Sequence, residues 1–297
     1  MNSVSIEERI AELARDFSGT LGVAVQRLDA DGQSPERGRT SVVDGAASLP
    51  FVQDGAIAFN AQEQFPTASC IKVPVLVELF RQATAGELAL DEEVVLRAED
   101  QVPGTGILKD LRPGLRLTLE DLATLAITVS DNTAANLLID RLGQSSINAC
   151  IAALGMEDTY LGTTFVFDAP ERNVGTPADF CRLLTRLACR AILDGAACDR
   201  LLDMLERQQY VDYIPRYLPF NRFAKEFGLS QEVRIANKVG MLAGTTNDVA
   251  IVTLPSLRYV LVIFTRDCRD VRFGPDNEGA LLVAQISKSI YDHFRIL

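Results

Sequence analysis

Ser69 and Lys72 stand in the run Phe65-Pro-Thr-Ala-Ser69-Cys-Ile-Lys72-Val-Pro74. Their spacing puts a hydroxyl and an amine one helical turn apart on one face, directly after a proline-containing loop. A serine hydroxyl is a poor nucleophile until a neighbouring base takes its proton, and here the base on offer is a lysine. Histidine is an unpromising alternative, because the only one, His293, lies in a C-terminal segment whose apolar face (Leu282, Ile286, Ile290, Phe294) is built for packing. That histidine reads as a solvated surface residue. Ser130-Asp131-Asn132 follows sixty-one residues after Ser69, and Lys238-Val239-Gly240 a further 108 on. Singly, the three are an ordinary helix start, an N-cap and a scrap of strand. In this order they supply a nucleophile, a base, a second hydroxyl and a second amine.

The elements that must hold these residues are legible from periodicity. Ser5-Ile-Glu-Glu8 is a capping box that opens an amphipathic helix with Ile6, Ile10, Leu13 and Phe17 on one side. A strand is predicted over 20–28, then a polar, Gly-rich stretch over 29–49 and a second strand near 56–60. From Ser69 to about Gln208 the pattern is helical, with segments at 69–84, 119–128, 132–142, 145–154, 177–193 and 197–207. Pro103-Gly104 and Pro113-Gly114 punctuate it, and Thr176-Pro177 marks a helix start with Thr as N-cap and Pro in the first turn. Strands return at 233–238, 248–254 and 259–265, before a closing helix over 279–295.

Strands at both ends with helices between them predict an α+β fold. Its antiparallel sheet is flanked by N- and C-terminal helices, with an all-helical domain inserted. The expected division is 1–62 with 209–297 for the sheet domain and 63–208 for the helical domain, with the reactive residues at their interface. A helix starting at Ser69 suits the chemistry, since unpaired amides and the positive end of the helix dipole favour an oxyanion there.

At 297 residues, 47% hydrophobic, the chain can bury a substantial core. Its net charge of −11 argues against nucleic acid and anionic membrane surfaces as partners. No apolar run approaches the ~18 residues that cross a bilayer. The N-terminus has no basic and apolar leader pattern, so the literal expectation is a cytoplasmic location, although an exported form with its leader removed would read alike. Six cysteines at 70, 150, 181, 189, 198 and 268 form no C-x-x-C pair, and with a single histidine no zinc signature arises. Buried free thiols are the expectation. No metal and no cofactor is implied, and nothing in the sequence speaks to oligomeric state.

Ser-x-x-Lys, Ser-Asp-Asn and Lys-x-Gly in this order resemble the class A β-lactamases and penicillin-binding proteins. Flanking text, Ala126-Ile-Thr-Val-Ser130-Asp-Asn-Thr-Ala-Ala-Asn136-Leu-Leu and Thr246-Asn-Asp248-Val, is similar to the same family. The resemblance covers nearly the whole chain from residue 5. It implies that Ser69 attacks an acyl carbonyl and that Lys72, transiently neutral, accepts the proton. Burial and the nearby Lys238 charge would both lower its pKa. Ser130 would relay a proton to the leaving nitrogen, and Asn132 would offer its amide to the substrate while supporting Lys72. The backbone amides of Ser69 and Met241, beside Gly240, would form the oxyanion hole.

The chain departs from the family pattern in two places. The glutamate that activates the deacylating water should fall near Thr164-Phe165, where there is no carboxylate, in a loop shorter than the family's usual length. Asp168 and Glu171 are the only acids in that loop. Val239 replaces the Thr or Ser of the strand motif and Met241 a small or hydroxyl residue, which removes a hydroxyl for a substrate carboxylate, worth about 1.5–3 kcal/mol. The leading expectation is a serine hydrolase acylated at Ser69 by small-molecule β-lactams or related amides and esters, with weak deacylation. A fully active β-lactamase using Asp168 or Glu171, a penicillin-binding D-amino-acid peptidase and a non-turnover binding protein remain open alternatives.

Overall fold

Long runs of β-branched and aromatic residues near both ends of the chain pair into one sheet, although they are far apart in sequence. The computed structural model describes residues 5–28, 56–165 and 172–296. The stretch over 29–49, Asp168 and Glu171 lie outside the described residues.

Helix α1 (Ile6–Ala14) precedes strands β1 (Thr20–Leu28) and β2 (Ala56–Phe59). Short β3 (Phe65–Pro66) leads into a 3₁₀ turn (Ala68–Ile71) and helix α2 (Lys72–Thr84). Strands β4 (Glu93–Val95) and β5 (Arg116–Thr118) form a small ribbon before helices α3 (Leu119–Thr128), α4 (Asn132–Leu142) and α5 (Gln144–Ala153). Strand β6 (Val174–Gly175) pairs with β3 and is followed by helices α6 (Pro177–Ala188) and α7 (Gly195–Glu206). The chain ends with strands β7 (Arg234–Leu242), β8 (Thr245–Thr253) and β9 (Arg258–Arg266) and helix α8 (Glu278–Ile296). The main sheet is antiparallel throughout, in the order β2-β1-β9-β8-β7, so β7 is an edge strand. The fold class is α+β, as the strand–helix–strand pattern predicted.

Each face of the sheet packs a separate core. On one face Ala24, Val262 and Phe264 join the interior of the helical segment, centred on α2. Ten of the 13 residues of α2 are buried, including Val73, Leu76, Leu79 and Phe80, so it runs through the core rather than over it. Each large apolar side chain buried in this way contributes about 1.5–3 kcal/mol. On the other face Val23, Val25, Val239 and Ile263 meet Ile10 of α1 and Ile286, Ile290 and Phe294 of α8. The capping box at Ser5 is present, with the Glu8 amide donating to Ser5 Oγ and the Ser5 amide to the Glu8 carboxylate.

The differences from expectation have local causes. Helix α6 stops at Ala188 rather than 193, because Arg190 takes a left-handed backbone (φ 53°) and Asp194 caps the next helix through the Ala197 amide. Strand β7 runs on past Lys238 to Leu242, since its pairing with β8 overrides the poor strand propensity of Gly240. The two ribbons β3–β6 and β4–β5 are too short to leave a periodic signal. His293 is half-buried rather than solvated, edge-on to Phe294 at 5.3 Å between ring centroids. Cys70, Cys150, Cys181, Cys198 and Cys268 are buried free thiols.

Candidate active site

The site is built where three elements meet: the 3₁₀ turn into α2, the α3–α4 connection, and the edge strand β7. Ser69 lies in the turn and is 9% exposed. Ala68 before it has φ 47°, a strained conformation for a side chain with a Cβ, and Ser130 has φ 55°. Two tertiary ties hold the turn. Asn247 of β8 donates to the Pro66 carbonyl at 2.7 Å, and the Cys70 thiol to the Lys238 carbonyl at 3.3 Å. Gly240 is needed here because a Cβ would lie 2.7 Å from the Thr67 carbonyl oxygen and 3.0 Å from the Ser69 amide nitrogen. The strand edge bearing Gly240 and Met241 is thereby brought against the Ser69 amide.

The left-handed turn at Ser130 presents both its carbonyl and its hydroxyl to the two lysines. Lys72 Nζ donates to the Ser130 carbonyl at 2.7 Å, to Ser130 Oγ at 3.3 Å and to Asn132 Oδ1 at 2.9 Å. Lys238 Nζ donates to the same Ser130 Oγ at 3.0 Å and to its neighbour's carbonyl, that of Val239, at 2.6 Å. One hydroxyl thus bridges two amines. Asp131 caps α4 through the Ala134 amide (2.9 Å), and its carboxylate also accepts from the amides of Ile107 (2.6 Å) and Leu108 (2.8 Å). These bonds, with Thr105 Oγ1 donating to the Ser130 carbonyl at 2.6 Å, tie the 103–108 loop to the site.

Both amines are fully buried, in a chain with only five lysines. Burial, and then the charge of Lys238, hold the Lys72 pKa well below the ordinary lysine value. Burial lowers Lys238 to about 8, opposed by the negative character of Cys70 and Asp248. Asp248, held by the Asn237 amide and the Ile214 N–H, is raised by burial to about 7. A lysine whose pKa is lowered more readily takes a proton from a hydroxyl, and one that stays charged can stabilise an anion.

Facing this cluster is the ring of Phe165, its centroid 4.2 Å from Lys72 Nζ. Asn136 fixes that residue from both sides, donating to the Phe165 carbonyl (3.1 Å) and accepting from its amide (2.7 Å). Asn173 braces the same loop by accepting from the amides of Gly162 and Thr163. Val239 is buried in the core against α8 and brings no donor to the site, and Met241 is engaged by the Tyr213 hydroxyl through its sulfur.

The structure therefore joins Lys72, Ser130, Asn132 and Lys238 by hydrogen bonds, sets Gly240 against the Ser69 amide one turn before Lys72, and gives the next residue, Met241, a side-chain contact with Tyr213. Sequence reading passed over Asn136, Thr105 and the contact of Phe165 with Lys72. A signal existed for Asn136, which lies one turn after Asn132 on the same face of α4. Among the described residues no group of three or more His, Cys, Asp or Glu side chains is placed to hold a metal ion.

Comparison with known proteins finds relatives over nearly the whole chain. A β-lactamase from Bacteroides uniformis is 26% identical over 302 aligned positions, covering 98% of this chain and 91% of that protein. β-Lactamase CTX-M-4 of Salmonella typhimurium is 28% identical over 210 residues, 70% of each chain. Among solved structures, a β-lactamase from Sphaerobacter thermophilus superposes with a TM-score of 0.80 at 30% identity, covering 98% of this chain and 97% of that one. A point mutant of PBP-A, solved as an acyl-enzyme complex with penicillin G, superposes with a TM-score of 0.78 at 26% identity, covering 98% and 97%. The model of the beta-lactamase enzyme family matches residues 5–294, and the chain belongs to that family.

Proposed function

We propose that this protein is a serine hydrolase acylated at Ser69 by β-lactams or related amides and esters, and that it releases the acyl group slowly. The Ser69 hydroxyl gives its proton to neutral Lys72 as its oxygen bonds to the carbonyl carbon. The C–N bond then breaks, and the proton passes from Lys72 through Ser130 Oγ to the departing nitrogen. The hydroxyl that bridges the two amines is the relay this step requires. The amides of Ser69 and Met241 stabilise the oxyanion, each donor being worth about 3 kcal/mol of barrier. Asn132 supports Lys72 and offers its amide to the substrate, and Lys238 supplies fixed positive charge.

The observation that carries the slow second step is Phe165. An aromatic ring, clamped by Asn136, lies over Lys72 near the place where the family resemblance puts a glutamate. A ring cannot polarise water, so in this proposal the acyl-enzyme has no hydrolytic base at that position. The similarity to PBP-A, a mutant of which is solved with a penicillin G acyl group, supports an acyl-enzyme reading.

Intact-mass measurement over time with excess penicillin G tests both halves, with Ser69→Ala alongside. The expected result is a single persistent adduct that the variant lacks. Fast loss of drug without an adduct would overturn slow deacylation and turn attention to Asp168 and Glu171. No adduct and no drug loss would overturn the acylation reading.

A further inference from the structure

Two adjoining cavities lie away from Ser69, along α7 where it crosses the start of β7. One is about 520 Å³. A second, about 260 Å³, shares Asp203, Glu206, Lys225 and Arg234 with the first and adds Arg190, Asp199 and Arg258. Four cations there face three carboxylates, which leaves one positive charge over in a protein of net charge −11.

The excess falls on one residue. Arg190 pairs with Asp199 at 2.6 Å, Lys225 with Asp203 at 2.8 Å, and Arg234 with Glu206 at 2.5 Å. Arg258, the first residue of β9, makes no ion pair among the described residues. It donates through Nη1 to the Ala188 carbonyl at 3.1 Å, while its Nε is buried without a hydrogen-bond partner. Burial first, and then the charges of Arg190 and Arg234, press its pKa below the ordinary arginine value. Three guanidinium groups thus converge on one cavity with carboxylates for only two of them. An unpaired charge in such a position is costly, and an arginine fork matches the oxygens of a carboxylate or phosphate.

We propose that the smaller cavity is an anion-binding site, separate from the Ser69 centre, for a ligand bearing a compact oxyanion group, carboxylate or phosphate, seated on Arg258 between Arg190 and Arg234. The single excess charge and the modest volume favour a small anion over a polyanion. Arg190 lines the cavity with a side chain that is 52% exposed.

Calorimetric titration of the full chain at low ionic strength with inorganic phosphate, and separately with succinate, tests the site against sodium chloride of matched ionic strength. Saturable binding of at least one of the two is expected, and the tighter ligand identifies the group preferred. Arg258→Gln should weaken binding about tenfold or more, the loss of one charge-assisted contact. Arg190→Glu should abolish it, by placing a carboxylate beside Arg258. Because Arg190 is half-exposed, that variant keeps the test decisive if Arg258→Gln fails to fold. Binding that is absent, equalled by chloride, or retained in the variants would overturn the proposal.

Discussion

The two sides of the candidate active site are built in different ways. Ser69, Lys72, Ser130 and Lys238 come from a helix start, an inter-helix turn and a sheet edge; buried hydrogen bonds of 2.7–3.3 Å join Lys72, Ser130 and Lys238, and Ser69 lies one turn before Lys72. Two positive-φ residues, Ala68 and Ser130, are held there by the surrounding structure. The opposite side is a loop held by amide side chains, Asn136 and Asn173, and it presents a phenyl ring. One side carries the groups that the proposed acylation needs, while the other presents a ring beside the amine. Under that proposal the bond-forming half of the site is kept and the water-activating half replaced, which is feasible because different elements carry the two halves.

The sharpest way to break this comparison is Lys72→Met, a change of similar volume at a fully buried position. Acylation by penicillin, followed by mass, should slow about 10³- to 10⁴-fold. An unchanged rate would leave Ser69 with some other base. Next in size is Phe165→Glu, which puts a carboxylate where the ring now lies. Drug turnover should rise about 10²-fold or more as the adduct ceases to accumulate. If the adduct persists in that variant, the slow step has another cause than the missing carboxylate.

The pH profile sharpens the acylating half. The rate should climb as pH rises through the lowered pKa of Lys72, which must be neutral to accept a proton. It should fall as pH rises through about 8, where Lys238 loses the charge that stabilises the oxyanion. In Phe165→Glu the rising limb should move to higher pH, since a nearby carboxylate favours the charged amine. A rate that does not fall between pH 7 and 9 would contradict the Lys238 assignment. The smallest effect belongs to Asn136→Ala, which frees the Phe165 amide and carbonyl and should cost about 1–3 kcal/mol of stability. Thermal unfolding checks this, and an unaltered midpoint would mean that Asn173 alone suffices to hold the loop.

Much of the molecule could be read from residue types in order. The alternation in Thr20–Leu28 and Arg258–Arg266 announced strands, the apolar spacing after Ser69 announced a helix, and the Ser-x-x-Lys, Ser-Asp-Asn and Lys-x-Gly spacing named the candidate reactive residues. These are local signals, written in adjacent residues and in the periods of helix and strand. Helix ends and short ribbons were less legible. The stop of α6 at Ala188 depends on the backbone at Arg190, and β3 pairs with β6 across more than a hundred residues.

Sequence alone determined the chemical inventory: which hydroxyls and amines are available, and that the loop near Thr164-Phe165 holds no carboxylate at those two positions. Only the tertiary structure decided what those groups are. Lys72 is an ordinary helical lysine in the sequence, and becomes a candidate base because burial, and then the Lys238 charge, lower its pKa well below the ordinary value. Phe165 is a plain loop residue until Asn136 holds its ring over that amine. Arg258 reads as the start of a strand, and the fold sets it beside two other guanidinium groups without a carboxylate of its own among the described residues. In each case the deciding quantity is a charge's environment, set by residues distant in sequence, and that is fixed only when the chain closes on itself.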